Sequence, residues 1–158
     1  MEKNIIQSGD YMQCNFNKPQ AIAFINGVNT KHSIRGIIKF FQRANCVLVV
    51  ADICGLPQTD TNFFGFHIHE GDNCDGVDFS GSKGHYNPDN TPHPKHSGDM
   101  PPLMLCGNIA HSSFLTDRFN VRDIIGRTVV IHDMPDDFTS QPAGNSGQKI
   151  ACGIIKKP

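Results

Sequence analysis

Long apolar runs are absent from this chain of 158 residues. The longest, residues 46–51, is far too short to cross a bilayer, which takes about 20 residues in a helix. Residues 1–10 also lack the apolar stretch of a secretory signal. We therefore expect a cytoplasmic protein with no membrane partner.

An excess of charge of either sign is missing as well. The 14 Lys and Arg residues nearly balance the 15 Asp and Glu residues, which leaves a formal net charge of -1 at pH 7. Because the chain also has no basic run, nothing attracts it generally to nucleic acid. We expect no nucleic-acid partner.

Linkers, internal repeats, low-complexity tracts and amphipathic helices of useful length are absent too. A hydrophobic content of 38% suffices for one core, so we predict a single domain over residues 1–158. Strand-like runs separated by Asn, Gly, Pro and Asp turn signals cover residues 20–28, 33–42, 46–54, 63–69, 126–132 and 150–156. Residues 104–120 should add one or two further strands. The pattern predicts an all-β Greek-key sandwich or barrel.

Histidine is what the chain has in quantity, and three of its histidines follow apolar strand-like runs. Residues 63–69 are apolar and aromatic, which favours an extended strand, so His67 and His69 share one face. His132 ends a second extended apolar run. Imidazole nitrogens arranged in this way suit a nitrogen-only transition-metal site.

A second set of candidate ligands lies in residues 85–102, where prolines exclude a long helix or a central strand. His93, His96 and Asp99 recur at three-residue intervals, and His85 completes a set of three nitrogens and one carboxylate oxygen. That set suits a closed tetrahedral zinc site. Each piece alone is more often a hydrogen-bonded or surface group, so the prediction depends on their occurring together and in order.

Five stretches carry a family resemblance: residues 65–72 with the first two histidines, 84–88 with His85, 96–99 at the end of the histidine-rich loop, 124–132 with the last histidine, and the carboxy-terminal motif at 144–153. Through them the chain resembles the copper-zinc superoxide dismutase family. The resemblance implies an all-β, immunoglobulin-like Greek-key β-sandwich or flattened eight-stranded barrel with long metal-binding and channel loops. The first sixty residues match only as a strand-like pattern.

The resemblance also implies the metals and the reaction. Copper would be held by His67, His69, His85 and His132, and zinc by His85, His93, His96 and Asp99. The bridging His85 would lose both ring protons, which two flanking cations can stabilise. The implied activity converts superoxide to dioxygen and hydrogen peroxide by alternating reduction and oxidation of copper, with His85 supplying a proton to peroxide. Relatives also lead us to expect a homodimer.

Two further residues take roles from the resemblance. Asp136 matches an aspartate that links a copper histidine to a zinc histidine, here His67 and His93. Lys149 stands where the family usually has an arginine beside the copper channel, and lysine keeps the charge but lacks the planar fork. Because the channel loop, residues 133–149, has three aspartates and only one lysine, we predict little cationic steering.

The six cysteines allow fifteen complete pairings, and residues alone do not choose among them. The resemblance implies a disulfide between Cys74 and Cys152, which we expect to be shielded because a disulfide is unusual in a reducing cell interior. The remaining cysteines are expected to be buried or inert thiols; they are Cys14, Cys46, Cys54 and Cys106.

Other functions remain open at this stage. A non-catalytic copper-binding or copper-delivery module would have the same fold. A hydrolytic zinc enzyme is disfavoured, since four protein ligands leave no open position for water. A purely structural zinc domain leaves the copper histidines unexplained. Further side chains have no assigned role and could lie in a core or at a surface or interface: His32, His111, Phe41, Ile53 and Phe119.

Overall fold

The structure is a computed structural model that describes residues 18–28 and 33–158. In this part of the chain the strands are Ala21–Gly27 (β1), Arg35–Gln42 (β2), Val47–Cys54 (β3), Phe63–Phe64 (β4), Phe66–His69 (β5), Leu103–Cys106 (β6), Ile109–Thr116 (β7), Thr128–His132 (β8) and Lys149–Lys156 (β9). The helical pieces are short, a 3₁₀ turn at Ser80–Ser82 and the helix Val121–Ile124 (α1). Every predicted strand is present, and residues 104–120 supply β6 and β7.

The strands form one antiparallel ladder in the order β4-β6-β7-β3-β2-β1-β9-β8-β5. Its two end strands, β4 and β5, are separated in the chain only by Gly65. β4 and β5 are therefore two halves of one bent strand. With these two counted as one, the ladder closes into a nearly complete barrel of eight strands. After β3 the chain crosses over β7 and β6 to reach β4, which is a Greek-key connection. The predicted all-β fold is confirmed.

The barrel is filled by alternate residues of each strand, as β3 illustrates. Val47, Val49, Ala51 and Ile53 are buried, whereas the residues between them are partly exposed. Full burial of such aliphatic side chains stabilises a fold by about 1.5–3 kcal/mol for each large one. Phe41, Ile53 and Phe119 are 6%, 1% and 6% exposed, so they are buried within this chain. The packed barrel is a rigid frame for the long loops at its end.

The disulfide between Cys74 and Cys152 is present, as the resemblance implied. Cys152 is buried and Cys74 half-buried, so the bond is largely shielded. Of the thiols expected to be buried or inert, Cys54 and Cys106 are exposed and Cys46 is half-buried. Burial is therefore wrong for Cys54 and Cys106, and their inertness stays a prediction. Cys54 and Cys106 each follow an inward-pointing strand residue, and the alternation of side chains directs them outward.

Three sequence predictions fall outside the described residues, namely those on Cys14, on His32 and on the absence of a signal in residues 1–10. His111 is exposed, and its Nδ1 lies 2.7 Å from the Asp52 carboxylate on the outer surface of the barrel. In residues 18–28 and 33–158, no helix is long and apolar enough to span a membrane.

Candidate metal centre

Two adjacent strands present three of the candidate histidines. In β5, His67 and His69 alternate with the core residues Phe66 and Ile68, so both histidines lie on the same face. The neighbouring β8 ends at His132, where the pairing with β9 is irregular. Such an irregularity re-aims a side chain, and the His132 amide donates to the Gly65 carbonyl at 2.8 Å.

The free edge of β5 is covered by the histidine-rich loop. The Ile68 amide donates to the Gly98 carbonyl at 2.9 Å, and the Tyr86 amide donates to the Ile68 carbonyl at 2.8 Å. Any side chain at Gly98 would overlap the Ile68 carbonyl. These bonds set two single β-bridges, His69 with His85 and His67 with Asp99. The loop thereby brings its ligands beside the histidines of β5.

All four predicted copper ligands converge in one buried group, hereafter group 1, with candidate ligand atoms within 4.8 Å of one another. The group consists of His67, His69, His85 and His132. Hydrogen bonds on the opposite ring nitrogens set the orientation of these rings. His67 Nε2 lies 2.7 Å from Asp136 Oδ2, and His69 Nδ1 lies 2.9 Å from the Lys83 carbonyl. Because both partners are acceptors, those nitrogens carry the protons, and the lone pairs of His67 Nδ1 and His69 Nε2 face the group.

Ring nitrogens of His69 and His132 face each other within group 1. His132 Nδ1 faces the Gly147 carbonyl at 3.4 Å, and His132 Nε2 lies 3.3 Å from His69 Nε2. With both Nδ1 atoms protonated, two lone pairs meet, which is repulsive unless a positive charge lies between them. His67 Nδ1 and His85 Nε2 are also buried without a hydrogen-bond partner. Four imidazole nitrogens fit copper.

The second buried group, hereafter group 2, consists of the predicted zinc ligands His85, His93, His96 and Asp99. The three Nδ1 atoms lie 2.7, 3.0 and 3.4 Å from the Asp99 carboxylate oxygens, in that order. His93 Nε2 lies 2.9 Å from Asp136 Oδ1, so the lone pair of His93 Nδ1 faces a carboxylate. A cation bound there would remove that repulsion. Three nitrogens and one carboxylate oxygen fit tetrahedral zinc.

Asp136 joins the two groups, as the resemblance implied for His67 and His93. Its carboxylate also accepts a hydrogen bond from the Phe138 amide at 2.7 Å. Burial acts to raise the pKa of Asp136, but the hydrogen bonds from His67, Phe138 and His93 outweigh it and lower the pKa to about 2. Asp136 is therefore an anion at neutral pH. Gly144 packs against it with φ 66°, and a side chain there would overlap the carboxylate.

Burial also decides the protonation of the histidines. It lowers the pKa of His67, His69 and His96, and it lowers the pKa of His132 to about 3. These rings are consequently neutral at pH 7, which is the form that binds metals. Burial likewise acts to raise the pKa of Asp99, but the neighbouring histidines lower it more, so Asp99 is ionised.

Lys149 lies close to group 1, since its positive charge helps to lower the pKa of both His69 and His132. Its ammonium donates to the Lys83 carbonyl at 2.7 Å, to Ser82 Oγ at 2.8 Å and to the Phe79 carbonyl at 3.4 Å. These three acceptors match the three N–H donors of a lysine. The ammonium is therefore hydrogen-bonded to the short segment of residues 79–83.

A cavity of about 360 Å³ opens beside His132. Its walls are neutral residues of the channel loop, among them Ser140, Asn145 and Ser146, and Lys149 does not line it. The cavity thus reaches group 1 at His132 through an uncharged surface. The expectation of little cationic steering stays a prediction.

Several supporting groups were not found from sequence. The carbonyls of Lys83 and Gly147 orient ligand rings, and a backbone carbonyl leaves no signal in a sequence. Gln141 Oε1 accepts from the His93 amide at 3.0 Å, while Gln141 Nε2 donates to the His93 carbonyl at 2.7 Å. Gly144 lies in the carboxy-terminal motif, which could have indicated a required glycine.

The fold and these groups define a class of protein, an all-β barrel with two buried groups of candidate metal ligands that share one histidine. Residues 34–155 match the model of the family described as copper/zinc superoxide dismutase (SODC). The chain is 35% identical over 144 residues to superoxide dismutase [Cu-Zn] 1 of Aquifex aeolicus (strain VF5), covering 82% of this chain and 84% of that protein. It is 37% identical over 139 residues to superoxide dismutase [Cu-Zn] A of Xenopus laevis, covering 77% of this chain and 89% of that protein. The chain belongs to the copper/zinc superoxide dismutase family of oxidoreductases, and its histidine groups are compatible with copper and zinc.

Proposed function

We propose that this protein converts superoxide to dioxygen and hydrogen peroxide, with copper in group 1 and zinc in group 2. The observation that carries the proposal is that His85 belongs to both groups. Its Nδ1 faces Asp99 of group 2, while its Nε2 is buried in group 1 without a hydrogen-bond partner. An imidazole with one nitrogen in each of two ligand sets has no purpose in a single-metal site.

The ligand set suggests the chemistry. Bound copper would supply one-electron exchange by alternating between two oxidation states, while zinc of constant valence would serve structure and electrostatics. His85 Nε2 is the nitrogen positioned to hold a proton and release it to peroxide. Asp136 and the Lys83 carbonyl hold the rings of His67 and His69 in the tautomers that binding requires.

Access for the substrate fits a small anion. The channel-loop walls of the cavity beside His132 are uncharged, and the nearby Lys149 supplies one positive charge. Superoxide would reach group 1 mainly by diffusion without electrostatic steering, because a single cation held in a loop gives a weak long-range field. Lys149 keeps the charge of the usual arginine without its planar fork.

The test combines elemental analysis of protein reconstituted with copper and zinc with pulse radiolysis of superoxide on the same sample. We expect about one copper and one zinc per chain and rapid copper-dependent turnover. His85→Ala should lower turnover by about 10²-fold or more, the usual contribution of a positioned proton donor, and should weaken zinc retention. His111→Ala is the matched control, because His111 is an exposed histidine remote from both groups.

Full activity with both metals retained in His85→Ala would refute the assignment of His85. Stoichiometric metals without turnover in the unmodified protein would instead favour copper storage or delivery. The homodimer, the single domain and the cytoplasmic location stay predictions of the sequence.

A further inference from the structure

Arg118, which lies two residues after β7, reaches the backbone of the loop that carries group 2. Its Nη1 atom donates to the carbonyl of Pro94 at 2.7 Å, to that of His96 at 3.2 Å and to that of Asp99 at 3.4 Å. The three carbonyls belong to one short stretch of loop, and two of them belong to ligands of group 2. One side chain from a distant part of the sequence thus contacts the backbone of this metal group.

The convergence of these carbonyls suits a cation. Three carbonyl dipoles with their negative ends directed at one point repel each other, and Nη1 of the guanidinium supplies a positive charge and two N–H donors that the three oxygens share. The same turn is closed from within, because the Asp99 amide donates to the His96 carbonyl at 3.1 Å and the His96 amide donates to Asp99 Oδ2 at 3.0 Å. Arg118 therefore holds the outer side of a turn whose inner side presents two ligands.

We propose that Arg118 is a positioning residue for zinc binding, which acts by fixing the backbone of residues 94–99 so that His96 and Asp99 face His85 and His93. The inference rests on the proposed function, since it assumes that group 2 holds zinc. The three bonds from Arg118 all end on backbone carbonyls and not on a ligand side chain. Its effect is expected mainly on zinc retention. Three of the four copper ligands, His67, His69 and His132, lie on β5 and β8, which Arg118 does not contact through any of these bonds.

Lysine at this position would separate charge from geometry. A lysine ammonium keeps the positive charge and has three N–H donors, but it sits on a flexible stem, so it would hold the three carbonyls less rigidly than the planar guanidinium does. Glutamine removes the charge altogether. Arg122 is the matched control, because it also lies between β7 and β8 and its side chain is 85% exposed. Its Nε atom lies 3.5 Å from Oδ1 of the adjacent Asp123.

The experiment loads the full chain with copper and zinc, challenges it with a graded series of a zinc chelator, and measures both retained metals by elemental analysis. We expect Arg118→Gln to release zinc at about tenfold lower chelator concentration than the unmodified protein, the lower end of the range for groups that support metal ligands. Arg118→Lys should fall between the two, Arg122→Gln should match the unmodified protein, and copper retention should be unchanged in all three variants.

Zinc retention in Arg118→Gln equal to that of the unmodified protein would overturn the inference. Equal loss of copper and zinc would also overturn it, because it would show general destabilisation. If Arg118→Gln does not fold, Arg118→Lys decides, and zinc retention equal to that of Arg122→Gln overturns the inference, because a flexible ammonium would then serve as well as the guanidinium said to fix the loop. Failure of the unmodified protein to load zinc at all would refute the proposed function, which is a separate result.

Discussion

Replacement of Asp136 by asparagine should weaken both metal groups at once. Asp136 accepts hydrogen bonds from His67 and His93 on different carboxylate oxygens. An asparagine has the same shape, but one of its two terminal atoms is an NH₂ donor. Whichever histidine faces that donor must move its ring proton to the nitrogen that faces the metal. One ligand of group 1 or group 2 is then blocked, and the other loses a charged partner.

The size of the effect follows from these contacts. The two bonds are 2.7 and 2.9 Å long, and Asp136 is only 5% exposed, so solvent does not compensate their loss. Hydrogen bonds to a charged group contribute about 1.5–3 kcal/mol each. Loss of such a supporting carboxylate lowers metal affinity by about 10–100-fold. We therefore expect Asp136→Asn to release copper and zinc at chelator concentrations lower by about that factor.

The assay is the chelator series with elemental analysis of both metals, and Asp137→Asn is the matched control. Asp137 is the next residue and removes the same charge, but its carboxylate bonds only to Thr139 and Ser140 within its own turn. We expect the control to keep both metals. If Asp136→Asn retained copper and zinc as well as Asp137→Asn does, the orientation of the two rings by Asp136 would be refuted.

The remaining predictions concern charge. Turnover of superoxide should change little between about 0.02 and 0.2 M salt, since Lys149 is the one basic residue of residues 133–149. Lys149→Arg should raise turnover, because it restores the planar guanidinium that can bind a small anion through two hydrogen bonds. Unchanged turnover in this variant, together with strong slowing by salt, would contradict our description of the cavity. The last prediction concerns pH. Burial lowers the pKa of His132 from 6.5 to about 3 in the folded metal-free protein. Between these two pH values His132 is protonated in the unfolded chain but not in the folded one. The free energy of unfolding of the metal-free protein should therefore fall as pH falls from 6.5 toward 3, by about 2 kcal/mol from His132 alone at pH 5. Denaturant unfolding at pH 7 and pH 5 measures it, and equal stability at both would refute the neutral, buried state of His132.

The sequence predicted the strands and the grouping of the candidate ligands, because both depend on local patterns. Alternation in residues 63–69 placed His67 and His69 on one face, and the prolines of residues 85–102 indicated an irregular loop. The bent strand at Gly65, which turns nine strands into a barrel of eight, depends on the pairing of β4 with β6 and of β5 with β8. The outward direction of Cys54 and Cys106 was missed, although the alternation that explains it was visible in the sequence.

By itself the sequence determined which atoms are available for two metals and in what order they follow along the chain. The tertiary structure decided how each ring faces, because the groups that orient the rings lie far away in sequence. His67 and Asp136 are separated by 69 residues, and His69 and the Lys83 carbonyl by 14. The same holds for Arg118, which reaches the carbonyls of a loop 19 to 24 residues earlier. A tautomer depends on the acceptor that lies next to a ring nitrogen, and only folding brings that acceptor there.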